Sequence, residues 1–103
     1  MHAESLHENI AAISAEMHSN TALYETFYTR HGSELNGFPG IWKYCVTMAE
    51  IFTRTEEELF ASNANYLWID NVTAYCTRVL QACYVPSEDE LYTIAREVIT
   101  EKM

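Results

Sequence analysis

The apolar residues of this chain recur every three or four positions. In the segment from Leu91 to Ile99 they occupy positions i, i+3, i+4, i+7 and i+8, which places them on one face of an α-helix. No segment alternates apolar and polar residues between hairpin turns, and the chain has only 3 glycines and 2 prolines. The sequence therefore predicts an all-α bundle of four to six helices.

The length of the chain limits the number of domains. Its 103 residues, 49% of them hydrophobic, are enough for one core and too few for two, so we expect residues 1–103 to form a single helical domain. Whether residues 4–31 form one kinked helix or two is open from the sequence, which favours two. The predicted helices cover residues 4–18, 21–31, 40–53, 56–64, 66–85 and 88–101, with a loop at 32–39.

Two capping boxes mark predicted helix starts. In this motif a Ser or Thr hydroxyl accepts the N–H three residues later, and a glutamate there reaches back to the first N–H. Thr55 with Glu58 fits the motif and predicts a break before the helix at 56–64. Ser87 with Glu90 fits it as well and predicts the start of the last helix.

The cysteines and the N-terminus bear on the compartment. The first residues lack the basic and apolar regions of a secretory signal, and no apolar stretch approaches the roughly 20 residues that span a bilayer. We therefore expect a cytoplasmic protein, in a bacterium or a phage-infected cell, that does not contact membranes. Three cysteines, an odd number, favour reduced thiols that mostly face the core: Cys45, Cys76 and Cys83.

No residue pattern predicts catalysis or metal binding. The four histidines never lie three or four residues apart, and the cysteines do not form the close pairs of a structural zinc site. Cys45 lies among apolar neighbours, which disfavour the reactive thiolate. We therefore expect no catalytic residue, no metal, no cofactor and no enzymatic activity.

The excess of acidic residues is the most informative feature for function. Fifteen acids against six bases give a net charge of −9, which argues against direct binding of nucleic acid. A negative surface would instead suit a basic protein. The residues predicted to form this acidic face are Glu4, Glu8, Glu56, Glu57, Glu88, Asp89, Glu97 and Glu101.

Aromatic residues are the second indication of a binding surface. They make up 13% of the chain, and Tyr and Trp are enriched at binding hot spots. Phe38 lies in the predicted loop among glycine and proline, so we expect it to be an exposed anchor. Trp42 and Tyr44, close behind it, would extend the same surface.

These features predict a non-enzymatic acidic inhibitor that docks on a basic, nucleic-acid-handling protein and blocks it. Small acidic chains poor in motifs are typical of anti-defence proteins of phages and mobile elements, such as those of the anti-CRISPR type. The alternative is a structural or regulatory subunit that forms a homodimer through the wide apolar faces of residues 41–52 and 66–85. The third hypothesis is a small enzyme or ligand-binding bundle that uses Cys45 or an internal cavity.

Overall fold

Helices account for most of the chain in the structure, a computed structural model that describes residues 6–59 and 68–101. They are α1 (Leu6–Ser19), α2 (Thr21–His31), α3 (Gly37–Leu59), α4 (Trp68–Gln81) and α5 (Glu88–Glu101). The described residues contain no strand, so the prediction of an all-α fold is confirmed. From residue 6 to residue 31 the chain forms two helices, α1 and α2, with Asn20 between them.

The longest helix, α3, lies between α1 and α5, and α4 packs on α1, α2 and α5. Across the core, the rings of Phe52 on α3 and Tyr75 on α4 stack with their centroids 5.0 Å apart. The apolar stripes predicted from the sequence meet there, because burying them removes their side chains from water. Among the fully buried residues are Ile13, Met17, Phe27, Met48, Val72, Val79, Leu91 and Ile99.

The break predicted before residue 56 does not exist, because α3 runs without interruption through Thr55. The Thr55 hydroxyl caps nothing and instead donates to the carbonyl of Ile51 at 2.7 Å. A threonine inside a helix can satisfy its hydroxyl in this way, and burial of Thr55 and its neighbours outweighs the local capping signal. The end of the helix predicted at 56–64 lies outside the described residues.

The turn between α2 and α3 is shorter than the predicted loop. It spans residues 32–36, and a left-handed backbone at Asn36 (φ 65°) and Gly37 (φ 75°) leads into α3. Pro39 fits the first helical turn, where its missing N–H has no helical partner to lose. A Cβ on Gly40 would lie 1.3 Å from the Leu35 carbonyl oxygen, so the turn packs directly on this glycine.

The α4–α5 connection begins earlier than predicted, since α4 ends at Gln81 and not at residue 85. The second capping box is confirmed: the Ser87 N–H donates to Glu90 Oε1 at 2.8 Å, and the Glu90 N–H donates to Ser87 Oγ at 3.2 Å. The hydrogen bond from the Ser87 backbone lowers the pKa of Glu90. The Tyr44 hydroxyl donates to the Pro86 carbonyl at 2.7 Å and so ties the connection to α3.

Candidate functional site

Two large aromatic side chains stand exposed at the start of α3. Phe38 is 63% exposed and Trp42 is 50% exposed, and a spacing of four residues places them on one face of the helix. We call them the aromatic pair. Phe38 is exposed as predicted, although it belongs to the first turn of a helix and not to a loop.

The aromatic pair continues into a row of rings that crosses three helices. The ring centroid of Phe38 lies 5.0 Å from that of Tyr28 on α2, and Tyr28 lies 6.3 Å from Tyr24 one helical turn away. Tyr24 in turn lies 4.8 Å from His18 at the end of α1. The short turn before α3 makes this row possible, because it brings the first turn of α3 back onto α2.

An open groove of about 510 Å³ follows this row along α2. We call it the α2 groove. Its walls combine aromatic rings with hydroxyl groups and one carboxylate: the lining residues are His18, Thr21, Tyr24, Glu25, Tyr28, Thr29 and Phe38.

Few partners among the described residues contact the polar groups of the α2 groove. Glu25 is exposed and forms no ion pair with any described residue. The Nδ1 atom of His18 lies 2.7 Å from the Ser14 carbonyl oxygen, so Nδ1 donates a hydrogen bond to it. The groove therefore offers hydrogen-bond acceptors beside aromatic faces.

Tyr44 does not extend the aromatic pair, contrary to the prediction from the sequence. Its ring stacks on Phe27 with centroids 6.4 Å apart, and its hydroxyl donates to Pro86. Burial raises the pKa of Tyr44 well above its usual value. Tyr44 is two residues from Trp42, and this offset turns it toward the core side of α3.

The described residues of the predicted acidic face come from three helices, α1, α3 and α5. Exposed carboxylates of the described residues occur on every helix, for example at Glu8, Glu25, Glu57, Asp70 and Glu101. Glu57, Glu88, Asp89 and Glu101 are exposed as expected, whereas Glu4 lies outside the described residues.

Arginine side chains are interleaved with several of these acids. Arg78 on α4 donates to Glu97 on α5 at 2.7 Å. The guanidinium carbons of Arg54 and Arg96 lie 5.7 and 5.6 Å from the ring centroid of Tyr92. The Tyr92 hydroxyl donates to Glu58. The α3–α5 surface is therefore mixed in charge.

Glu56 was predicted on the acidic face and is instead fully buried. The Asn9 amide donates to Glu56 Oε1 and to Thr53 Oγ1, both at 2.7 Å, and Asn9 Oδ1 accepts the indole N–H of Trp68 at 2.7 Å. This buried network joins α1, α3 and α4. A buried carboxylate needs such partners, and α3 presents Glu56 to the interior because the helix continues through Thr55.

The sequence alone did not identify the α2 groove. Tyr24, Tyr28 and Glu25 belong to a helix in which only Phe27 and His31 are buried, so the incomplete apolar stripe of α2 was the available signal. That signal does not tell which other elements border the helix. His18 and Phe38 join the site through packing alone.

The thiols differ in exposure. Cys45 and Cys76 are buried, whereas Cys83, predicted with them to face the core, is exposed because α4 ends two residues before it. Burial raises the pKa of the Cys45 thiol to about 11 and raises that of Cys76 further. Among the described residues, no three His, Cys, Asp or Glu side chains are placed to hold a metal ion.

We expect a thiol reagent such as 5,5′-dithiobis(2-nitrobenzoic acid) to modify one thiol per native chain at neutral pH. Cys83 reacts, while Cys45 and Cys76 react only on unfolding, because they are enclosed and protonated. The raised pKa values also make the free energy of unfolding fall as the pH rises from about 9 to 11, because the thiols lose their protons in the unfolded chain before they do so in the folded one. The Cys83→Ser variant is the control and shows no rapid reaction. Rapid labelling of Cys45 at neutral pH would contradict this assignment.

Comparison with known protein families, curated proteins and solved structures finds no match to this chain. Within residues 6–59 and 68–101, no helix is long and apolar enough to cross a membrane.

Proposed function

We propose that this chain is a non-enzymatic binding protein that docks on a basic surface of a partner protein. The aromatic pair, Phe38 and Trp42, is the anchor of the contact. The observation that carries the proposal is the exposure of both rings, 63% and 50%, side by side on one helical turn. An exposed aromatic side chain gains free energy when a partner covers it.

The arrangement of the aromatic pair matches what binding hot spots require. Tyr28 supports Phe38 from α2, with ring centroids 5.0 Å apart, so the Phe38 ring is held before any partner arrives. Residues held in place lose less conformational entropy on binding. The row of rings and the α2 groove beside it extend the contact area.

The net charge of −9 supports a basic partner. Long-range attraction between an acidic protein and a basic surface accelerates association and disfavours acidic competitors. This contribution needs no single acidic face, because it arises from the total charge.

A more specific form of the proposal is that the partner handles nucleic acid and is inhibited by the contact. Basic surfaces are typical of such proteins, because they neutralise phosphates. A cytoplasmic anti-defence role of the anti-CRISPR type would be one instance. Competition between this chain and a nucleic acid for the identified partner tests this form.

Substitution of the aromatic pair also tests the alternative, that the chain associates with itself. The wide apolar surface of residues 41–52 is used within the chain, where Ile41, Cys45, Met48 and Phe52 are buried, so it does not require a dimer. A dimer would instead use exposed apolar side chains, Phe38 and Trp42 on α3 or Ile69 and Tyr84 in the other predicted face at 66–85.

The experiment compares affinity capture by the full chain and by the double variant Phe38→Ser with Trp42→Ser. We expect a basic protein that the wild type retains and the double variant loses, and that dissociates as salt is raised. The matched control is Ile69→Ser with Tyr84→Ser, which removes two other exposed apolar side chains and is expected to retain the partner.

Binding of the purified partner by calorimetry then gives the size of the effect. We expect the double variant to weaken it by at least about 30-fold, the loss of two hot-spot side chains. Equal binding by the double variant would contradict the proposal. A wild-type dimer in sedimentation that the double variant abolishes would favour self-association instead.

A further inference from the structure

We infer that the α2 groove binds an arginine side chain of the partner protein. This inference rests on the proposed function, because it assigns a recognition chemistry to the surface beside the aromatic pair. The groove combines the two groups that a guanidinium contacts best, aromatic faces and a carboxylate. Its rings belong to His18, Tyr24, Tyr28 and Phe38, and its carboxylate is Glu25.

The chain itself contains the same combination with the guanidinium present. On the α3–α5 surface, Arg54 and Arg96 lie 5.7 and 5.6 Å from the centroid of Tyr92, whose hydroxyl contacts the Glu58 carboxylate. The α2 groove also combines tyrosine rings with a glutamate, but it holds no arginine. The arrangement on α3 and α5 therefore shows how this chain accommodates the side chain that the groove lacks.

Glu25 is available for such a contact. It makes no ion pair with any described residue, and it lies one residue from Tyr24 on an exposed part of α2. Arg30 and Glu25 both line a second depression of α2, outside the α2 groove. The residues that line the α2 groove include no lysine and no arginine.

The chemistry of the groove favours arginine over other ligands. A guanidinium is planar, so it can lie flat on a tyrosine ring while its N–H groups reach a carboxylate. A lysine ammonium is more strongly hydrated and cannot stack in this way. An anion would meet the Glu25 carboxylate and a net charge of −9. A volume of about 510 Å³ is ample for one extended side chain.

The test uses the full chain and N-acetyl-arginine methylamide as the probe, followed by two-dimensional NMR. We expect weak, saturable binding at one site, with shifts concentrated at Thr21, Tyr24, Glu25 and Thr29. The uncharged citrulline analogue is expected to bind at least about five-fold more weakly, because it retains the shape of arginine and lacks its charge. The lysine analogue is expected to fall between them.

Variants separate the contribution of the groove from that of total charge. Glu25→Gln is expected to weaken the arginine probe about three- to ten-fold, whereas Glu57→Gln, the same change at an exposed site on α3, leaves it unchanged. Arg30→Gln is expected to strengthen binding slightly, because it removes a cation near Glu25. Tyr28→Leu is expected to weaken binding and leave the helical circular dichroism intact.

Several outcomes would overturn the inference. Equal binding of the arginine and citrulline probes, equal losses in Glu25→Gln and Glu57→Gln, or shifts outside the groove would each do so. Shifts of the groove residues with inorganic phosphate, and none with the arginine probe, would also overturn it. If the probe fails while the partner still depends on Phe38 and Trp42, the groove inference alone is wrong. If the probe binds and no partner depends on that pair, the proposed function is wrong.

Discussion

Replacing Asn9 with leucine is expected to destabilise the protein by about 3 kcal/mol, and so to lower its melting temperature by more than about 10 °C. The Asn9 side chain makes three contacts at 2.7 Å, to Thr53, Glu56 and the indole of Trp68. Leucine fills a similar volume and forms none of them. The largest part of the loss comes from the buried Glu56 carboxylate, which loses a donor where water cannot replace it.

The matched control is Asn20→Leu, the same substitution at the junction of α1 and α2. The Asn20 side chain makes no capping hydrogen bond, so we expect a change within about 0.5 kcal/mol. Urea unfolding of both variants, with the slope of each transition compared, measures the difference. Similar losses in the two variants would show that the buried network does not stabilise the fold.

Introducing an aspartate at Val98 is expected to cost more than about 4 kcal/mol and to unfold the protein at room temperature or shortly above it. Val98 is 1% exposed and lies on the face of α5 that packs into the core. A carboxylate there must either lose its charge or draw α5 away from α3 and α4. Either change removes most of the free energy of unfolding of a domain of this size.

Two substitutions on the same helix calibrate this result. Ile94→Asp changes a half-buried position and is expected to cost less, whereas Thr93→Asp changes an exposed position and is expected to cost less than about 0.5 kcal/mol. Far-UV circular dichroism and thermal melting measure the loss of stability, which we expect to be largest for Val98→Asp, smaller for Ile94→Asp and smallest for Thr93→Asp. Melting of Val98→Asp close to the wild type would refute the packing of this face.

The candidate site was predictable in part. Phe38 is exposed as its setting near glycine and proline indicated, because a residue in the first turn of a helix next to a turn has few neighbours. Trp42, one turn further along the same face, is exposed with it. Tyr44 failed as an anchor because Phe27 and Pro86, distant in sequence, enclose it. The α2 groove was missed because its rings come from α1, α2 and α3.

Glu56 shows why charge is a weak guide to position. Three consecutive glutamates, residues 56–58, look alike in sequence, yet Glu56 is buried while Glu57 and Glu58 are exposed. The helical rotation of about 100° per residue separates them. The direction in which each one points depends on whether α3 ends before residue 56 or continues past it.

The helical class, the apolar stripes and the start of α5 at the Ser87 capping box could all be predicted from the sequence. Each of these depends on residues within four positions of one another, which is the range of helical hydrogen bonds and side-chain contacts. The tertiary structure alone decided the continuation of α3, the burial of Glu56 with Asn9 and the assembly of the α2 groove. These depend on which helices pack together, and packing minimises the free energy of the whole core, even where it overrides a local signal such as Thr55.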